Sequence, residues 1–312
     1  MIDARRLPGP ARPIGRTPGL PISIVYTTAR PEPRLDWLID GLESQAEPGD
    51  DLELVVVDAL GRSLDEIGFR PAAPISRAIT TTPKPSPWQG TQRVTTRDFF
   101  AASSARNTGI VLCGRDRVAF LDDRCRLGSR WLSVVRRWSA RLMSASCVLV
   151  GAYDKIDGGR RERDHRLARQ PRGQARCGGG WLYGGNFAAP MPWLLEVNGF
   201  EEGMDGAGGE DCVLGHMLAN RGRPLEFSAE MFLVKERPSG THHELHGLAS
   251  GHRGNARARA ALARFGRRAR TERTPDLQRL RAELAAGGVF PDVDPDSPHL
   301  DWFSGESLRE IS

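Results

Sequence analysis

The stretch that decides the fold is Pro21-Ile-Ser-Ile-Val-Tyr-Thr27, a short apolar, β-branched run that is typical of a buried strand. A helical pattern follows from Arg34 to Ala46, with its leucines on one face. A second strand is predicted over Leu52 to Val57 and ends at Asp58. Strand, helix and strand in this order indicate a parallel βαβ unit, so the sequence predicts an α/β fold.

The same alternation continues along the chain. Further strands are predicted at 75–82, 118–121, 147–152 and 225–234, and further helices at 97–107, 129–143, 193–197, 210–220, 255–270 and 275–286. The stretch 181–187 is ambiguous between strand and loop. The basic, glycine-rich stretch 157–180 has no periodicity, and we expect a mobile loop there.

Length and composition describe a globular protein. With 312 residues, 39% of them hydrophobic, the chain can bury a sizeable core. No stretch reaches the roughly 20 apolar residues that span a bilayer, and residues 1–20 contain no apolar signal region. We therefore expect a disordered leader over 1–20 and a cytoplasmic protein, with peripheral attachment to a membrane surface as an alternative. Five scattered cysteines without CxxC spacing argue against a disulfide framework or a zinc site.

The net charge of +5 comes from two arginine-rich segments, 155–176 and 253–283. Guanidinium groups bind phosphate and carboxylate in a forked geometry, so these segments suit an anionic ligand. A nucleotide diphosphate, an acidic lipid surface and a nucleic acid are all compatible with them. A solvated surface without a ligand is the alternative.

Two short acidic motifs indicate what the protein could bind and catalyse. Phe120-Leu-Asp-Asp-Arg124 ends an apolar strand, and Gly208-Gly-Glu-Asp211 begins a helix. Ligands of open α/β sheets bind beyond the carboxyl ends of the strands, where Thr27, Asp58 and Asp122 all fall. Carboxylates at a strand end suit a metal diphosphate or a ribose, and a carboxylate at a helix start suits a general base.

Four blocks stand in a recognisable order: Ile24-Val-Tyr-Thr-Thr-Ala-Arg30; Val55-Val-Val-Asp58; Ala105-Arg-Asn-Thr-Gly109 with Val118-Ala-Phe-Leu-Asp-Asp123; and Gly184-Gly-Asn186 with Val197-Asn-Gly-Phe200 and Gly209-Glu-Asp211. Together they resemble the family 2-type glycosyltransferases of the GT-A fold. The resemblance covers about residues 21–236. It implies a Rossmann-like, mostly parallel sheet flanked by helices, with a nucleotide-binding half over about 21–125 and an acceptor half over about 147–236.

Residues 237–312 are then a C-terminal extension with Arg-rich helices and an acidic tail. The activity implied by the resemblance is hexosyltransferase-like. A sugar moves from a nucleotide-diphosphate donor, for which a UDP-sugar is expected, to an acceptor hydroxyl with inversion by direct displacement.

The resemblance also implies the residues that bind the donor. Asp58 at a strand end can accept hydrogen bonds from a nucleotide base, and arginines can contact the base or the diphosphate. A turn-initiating aspartate and surface ion pairs are the structural alternatives. The implied donor-binding residues are Thr27, Arg30, Asp58, Arg106, Asp122 and Asp123.

A divalent cation, Mn²⁺ or Mg²⁺, is implied at Asp122 and Asp123, where the family uses an Asp-x-Asp motif. The sequence departs from that motif, because Arg124 stands in place of its last aspartate. Either fewer protein oxygens hold the metal, or Arg124 itself supplies positive charge to the donor. His243, in the run Thr241-His-His-Glu-Leu-His246, is the candidate third ligand, and a His-rich surface loop is the alternative.

Asp211 is the implied general base, and Glu210 would orient the acceptor or assist. A raised pKa on one member of an adjacent carboxylate pair would favour this role. The alternative is an acidic helix start that only complements the helix dipole. Trp181, Tyr183 and Asn186 are the candidate acceptor-binding residues, although core packing explains the aromatic side chains as well.

Other functions stay open from the sequence alone. The acceptor is unidentified, and a nucleic acid or another polyanion is compatible with the arginine-rich segments. A protein that binds a nucleotide sugar without turnover, because Arg124 has spoiled the metal site, is a further alternative. The sequence does not fix the oligomeric state.

Overall fold

The computed structural model describes residues 21–84, 86, 101–141, 146–204, 209–237, 262–288 and 290. Within these ranges the strands are β1 Pro21–Thr28, β2 Asp51–Asp58, β3 Ile75–Thr81, β4 Arg117–Asp122, β5 Cys125–Leu127, β6 Val148–Asp157, β7 Arg160–Glu162, β8 Gln174–Cys177, β9 Asn186–Pro190 and β10 Leu225–Arg237. The helices are α1 Leu35–Glu43, α2 Ala102–Leu112, α3 Trp131–Ser139, α4 Met191–Glu196, α5 Glu210–Asn220 and α6 Leu277–Ala285. None of the helices in the described part of the chain has the length and apolar character that a bilayer crossing requires.

The described strands form one mixed sheet in the order β3-β2-β1-β4-β9-β6-β10-β5. The four strands β3, β2, β1 and β4 run parallel, so their carboxyl ends meet at one edge. In that register Thr28 lies beside Asp58, and Thr27 lies beside Asp122. The predicted α/β architecture is confirmed, with β9 inserted antiparallel between β4 and β6.

The prediction of a loop over 157–180 is wrong. β7 pairs antiparallel with β6, and β8 pairs antiparallel with β10. Gly158 and Gly159, with φ of 56° and 81°, form the two-residue turn that joins β6 to β7. The sequence shows no alternation in β7 because all three of its residues are exposed, but the Gly-Gly pair was a usable hairpin signal.

Helix α2 begins and ends later in the chain than predicted, and residues 97–100 lie outside the described ranges. The helix packs very closely on β1, because a Cβ at Gly109 would lie only 2.3 Å from Cγ1 of Val25. The absence of a side chain at Gly109 therefore sets how close α2 approaches the sheet. Arg106, one turn before Gly109, is held at the edge of the sheet in consequence.

The C-terminal helix α6 contributes Leu277 and Leu280 to the same hydrophobic core as the central strands. Asn198 ties this segment down: its side-chain oxygen accepts from the Leu277 N–H at 2.9 Å, and its Nδ2 donates to Thr271 Oγ1 at 3.0 Å. Asn198 has φ of 60°, a left-handed conformation that asparagine tolerates better than most residues. The turn after α4 is thus fastened to residues far along the chain.

Candidate active site

Arg106 joins the two acidic motifs. One of its guanidinium nitrogens donates to Asp122 Oδ1 at 2.9 Å, and another donates to Glu210 Oε1 at 2.7 Å. Asp122 is the last residue of β4, and Glu210 is the first residue of α5. The strand-end motif and the helix-start motif, which are distant in sequence, therefore meet at one buried arginine.

The Gly184-Gly185 pair makes room for this arrangement. A Cβ at Gly184 would lie 2.7 Å from Cζ of Arg106, and a Cβ at Gly185 would lie 2.5 Å from Oδ2 of Asp122. Contacts this short do not occur between real side chains, so any larger residue would push Arg106 or Asp122 aside. Glycine is therefore needed at both positions to leave room for Arg106 and Asp122.

Burial and two cations act on Asp122 in opposite directions. Burial alone would raise the pKa of this carboxyl group, but Lys235 and Arg106 outweigh burial and hold the pKa well below its usual range. The same pairing raises the pKa of the Arg106 guanidinium despite its burial. The pairing therefore favours the carboxylate form of Asp122 and the cationic form of Arg106.

Asp211 has the opposite character. Burial, followed by the repulsion of the neighbouring Glu210 carboxylate, raises its pKa to about 6. Oδ2 accepts from the Gly184 backbone N–H at 3.1 Å, and Oδ1 accepts from the Cys212 N–H at 2.7 Å. The site thus contains one carboxyl group with a lowered pKa, Asp122, and one with a raised pKa near neutrality, Asp211.

Helix α5 starts after Gly209, whose φ of 84° permits the sharp entry into the helix. The helix rests directly on the backbone of the turn at 179–181, because a Cβ at Gly215 would lie 2.1 Å from the carbonyl oxygen of Gly179. The Cys212 thiol also donates to the Gly180 carbonyl oxygen at 3.6 Å. These contacts fix the end of α5 that carries Glu210 and Asp211.

Asp123 faces β1 and the turn that follows it. Its carboxylate accepts from Thr28 Oγ1 at 2.9 Å and from Arg30 Nε at 3.2 Å. Asp122 and Asp123 thus point to different partners, one towards Arg106 and the other towards Arg30.

Arg124 does not face the carboxylates of the motif. Its backbone N–H donates to the Pro33 carbonyl oxygen at 2.8 Å, and its side chain donates to the Glu32 carbonyl oxygen at 3.0 Å. Its guanidinium carbon lies 5.4 Å from the centre of the Trp37 ring. Arg124 therefore braces the segment between β1 and α1, and a contribution of its charge to the donor stays a prediction.

The side chain of Asp58 is fully buried and already paired. Arg62 donates to it from Nε at 2.9 Å and from its backbone N–H at 3.0 Å, and Arg62 also bonds the carbonyl oxygens of Arg30 and Pro31. In this arrangement a nucleotide base could reach the Asp58 carboxylate only if Arg62 moved. The predicted role of Asp58 stays a prediction.

Asn186 is a core residue in the structure, and its assignment to acceptor binding stays a prediction. It is fully buried, and its side-chain oxygen accepts from the Trp131 indole N–H at 2.9 Å. Its amide nitrogen donates to the carbonyl oxygens of Ala152 at 2.8 Å and Met231 at 2.9 Å. Asn186 therefore ties α3, β6 and β10 together, and both hydrogens of its amide are used inside the core.

The two aromatic candidates lie in different surroundings. Trp181 packs edge-on against Phe227, with ring centres 5.2 Å apart, at the border of the core. Tyr183 stacks on Tyr153, with ring centres 3.9 Å apart, and its hydroxyl donates to Asp122 Oδ2 at 3.3 Å. Tyr183 is thus next to the acidic site, whereas Trp181 has a packing role.

The carboxylates do not fit a divalent cation as they stand. His243 lies outside the described residues, and within the described ranges no group of three or more His, Cys, Asp or Glu side chains is arranged to hold a metal ion. The Asp122 carboxylate, which would be the first metal ligand, is taken by Arg106 and by the ammonium group of Lys235. A metal at this carboxylate would have to displace that ammonium group.

Sequence reasoning missed Lys235 and Arg62. The predicted strand stopped at residue 234, although Lys235 continues it and shares the inward face of β10 with Leu233. A lysine on the buried face of a strand was the available signal, but nothing in the sequence pointed to Asp122 as its partner. Arg62 lies in a loop without periodicity and gave no signal.

Comparison with known proteins gives the fold and not the family. No protein-family model matches the chain, and no curated protein matches it. Among solved structures, S. aureus TarS 1-349 matches with a TM-score of 0.51 at 14% identity, over 70% of this chain and 60% of that one. TarS in complex with UDP-GlcNAc gives 0.50 at 14%, over 76% and 61% of the two chains. GalNAc-T7 with UDP, GalNAc and Mn²⁺ gives 0.51 at 14%, over 78% and 48%.

Both proteins are GT-A-type glycosyltransferases. This chain has the GT-A fold. The predicted fold class is confirmed, whereas the resemblance to family 2 in particular stays a prediction. The chain spans about half to three fifths of the lengths of these neighbours, and at 14% identity the likeness extends to the fold alone.

Proposed function

We propose that the protein is a nucleotide-sugar-dependent glycosyltransferase, which moves a sugar from a nucleoside diphosphate donor to an acceptor hydroxyl. The observation that carries the proposal is the Arg106 bridge between Asp122 on β4 and Glu210 on α5. It unites a strand-end carboxylate, suited to the donor, with a helix start that carries a carboxylate of raised pKa.

In the proposed reaction the acceptor oxygen attacks the anomeric carbon of the donor sugar. The bond between that carbon and the diphosphate oxygen breaks, and its electron pair stays on the diphosphate. Asp211 takes the proton of the acceptor hydroxyl as the new bond forms, which its pKa of about 6 suits. Direct displacement from the opposite face inverts the configuration at the anomeric carbon.

Glu210 has a positioning role in this scheme. Its carboxylate holds Arg106 at 2.7 Å and, by its charge, contributes to the raised pKa of Asp211. UDP-sugars are the first donors to test, because GalNAc-T7 was crystallised with UDP and TarS with UDP-GlcNAc. Lys235 and Arg106 already hold the Asp122 carboxylate, so the proposed scheme has no metal-dependent step.

The proposal is tested by thermal unfolding against a panel of nucleoside diphosphates and nucleotide sugars, each with Mn²⁺ and with EDTA. A ligand that binds only the folded state raises the melting temperature by mass action. The sugar nucleotide that stabilises the protein is then offered with hydroxyl acceptors, including anionic polymers, and the products are read by mass spectrometry.

A shift followed by transfer is the expected result. No shift with any nucleotide, with or without Mn²⁺, would show that the protein is not a nucleotide-sugar enzyme. A shift without hydrolysis or transfer to any acceptor would show a binding protein that has lost turnover.

A further inference from the structure

Lys235 places a buried ammonium group at the proposed donor site. The residue lies near the end of β10 and is 9% exposed, and its Nζ donates to Asp122 Oδ2. An ammonium group has three N–H donors, and among the described residues this is the one hydrogen bond its nitrogen makes. Its other two donors thus have no partner in the described part of the chain, at the strand end where a donor diphosphate would lie.

A second polar group at the same edge, the Thr27 hydroxyl, is unpaired in the described part of the chain. Thr27, which lies beside Asp122 in the pairing of β1 with β4, is 3% exposed. Its hydroxyl oxygen has no hydrogen-bond partner among the described residues. Buried polar atoms are nearly always hydrogen-bonded in folded proteins. The Thr27 hydroxyl and the Lys235 ammonium group, which both lie beside Asp122 at the end of β4, are therefore the groups that a polar ligand would engage there.

The Lys235 ammonium group also opposes a metal ion at Asp122. It occupies one oxygen of that carboxylate, and Arg106 occupies the other. A divalent cation bound there would lie within a few ångströms of two buried positive charges, and repulsion at such short range is costly inside a protein. Arg124, the motif residue that could have carried charge instead, faces Glu32 and Trp37.

We propose that Lys235 takes the place of a divalent cation in this protein, binding the donor diphosphate together with Arg106 and Thr27, so that donor binding is independent of metal. The inference rests on the proposed function. As the bond from the anomeric carbon to the diphosphate oxygen breaks, the electron pair stays on that oxygen, and the Lys235 N–H groups stabilise the charge that it gains. The acceptor proton goes to Asp211, so no other reactant is needed.

The test is isothermal titration calorimetry of UDP, with ADP, GDP and CDP beside it, into the full-length protein in EDTA and in Mn²⁺. The variants are Lys235→Gln, Lys235→Arg and, as a charge-matched control, Arg130→Gln. Arg130 pairs with Glu230, and its side chain is 69% exposed. Thermal unfolding of each variant without ligand shows whether it is folded.

The wild type is expected to bind one nucleoside diphosphate in EDTA about as tightly as in Mn²⁺. Lys235→Gln should weaken that binding by about 10- to 100-fold, the loss that removing a charged hydrogen bond causes. Lys235→Arg should recover part of the loss, and Arg130→Gln should bind like the wild type.

Binding by the wild type only in Mn²⁺ would overturn the inference while leaving the transferase proposal standing, and that measurement needs no variant to fold. Tight binding in EDTA that survives Lys235→Gln would also overturn it. Binding of no nucleotide under either condition would instead remove the proposed function, and this inference with it.

Discussion

The backbone N–H of Gly184 donates to Oδ2 of Asp211 across 3.1 Å. A glycine is required on the donor side of this bond, because a Cβ at Gly184 would strike the Arg106 guanidinium at 2.7 Å. One residue therefore positions the carboxylate proposed as the base and also leaves room for the arginine that links it to Asp122.

Replacing Asp211 should abolish transfer and spare donor binding. Asp211→Asn removes the proton acceptor while keeping the size of the side chain, and loss of a general base costs about 10²- to 10⁴-fold in rate. Transfer is measured by product formation, and donor affinity by calorimetry on the same preparation. Near-wild-type turnover in the variant would mean that another group takes the proton.

Activity should fall on the acidic side of neutrality. Because the pKa of Asp211 is raised to about 6, the carboxylate is protonated below that pH and cannot accept the acceptor's proton. We expect kcat/KM to decrease about tenfold per pH unit below about pH 6. Donor binding is the internal control, since the lowered pKa of Asp122 keeps that group ionised throughout. A flat rate profile down to about pH 5 would contradict the assignment of Asp211.

A methyl group at position 185 should damage the donor site. In Gly185→Ala the new Cβ would meet Asp122 Oδ2 at 2.5 Å, so the carboxylate must leave Arg106 or Lys235. We expect weaker nucleotide binding and a loss of about 1–3 kcal/mol in the free energy of unfolding, as for other overpacked sites. The matched control is Gly178→Ala, since a Cβ there would meet no atom within 4 Å. Equal nucleotide affinity in the two variants would show that Asp122 can move without consequence.

Asn186 should matter for stability and not for the acceptor. Asn186→Leu removes three buried hydrogen bonds, one from the Trp131 indole N–H and two to the carbonyl oxygens of Ala152 and Met231. We expect the free energy of unfolding to fall by about 2–4 kcal/mol, measured by urea denaturation. Unchanged stability together with a raised KM for the acceptor would return Asn186 to the acceptor site.

The sequence was sufficient for the parts of the molecule that depend on local patterns. The βαβ unit from Pro21 to Asp58 shows in apolar runs and helical spacing, and the structure has it at those places. Gly158-Gly159 was readable as a turn, yet the exposed strand beyond it has no hydrophobic pattern and was missed.

The ion pairs of the site could not be predicted from local sequence patterns. Lys235 and Asp122 belong to strands that are not neighbours in the sheet, and Arg62 reaches Asp58 from an irregular loop. Which cation faces which carboxylate depends on how the strands are ordered, and that order is not a local property of the chain. Arg124 is a second example. Its position in the motif suggested that it could give positive charge to the donor. Its backbone φ of 55° and its hydrogen bond to the Glu32 carbonyl oxygen place its side chain against the segment before α1.

The contact between Gly215 and Gly179 has a mechanical consequence. At Gly215 no side chain separates α5 from the turn at 179–181, so a shift of the helix at this point would have to carry that turn along. The proposed base, Asp211, therefore lies on a helix that is packed directly against the backbone of that turn. If the site adjusts when a substrate binds, we expect the surrounding side chains to move, Lys235 and Arg62 among them.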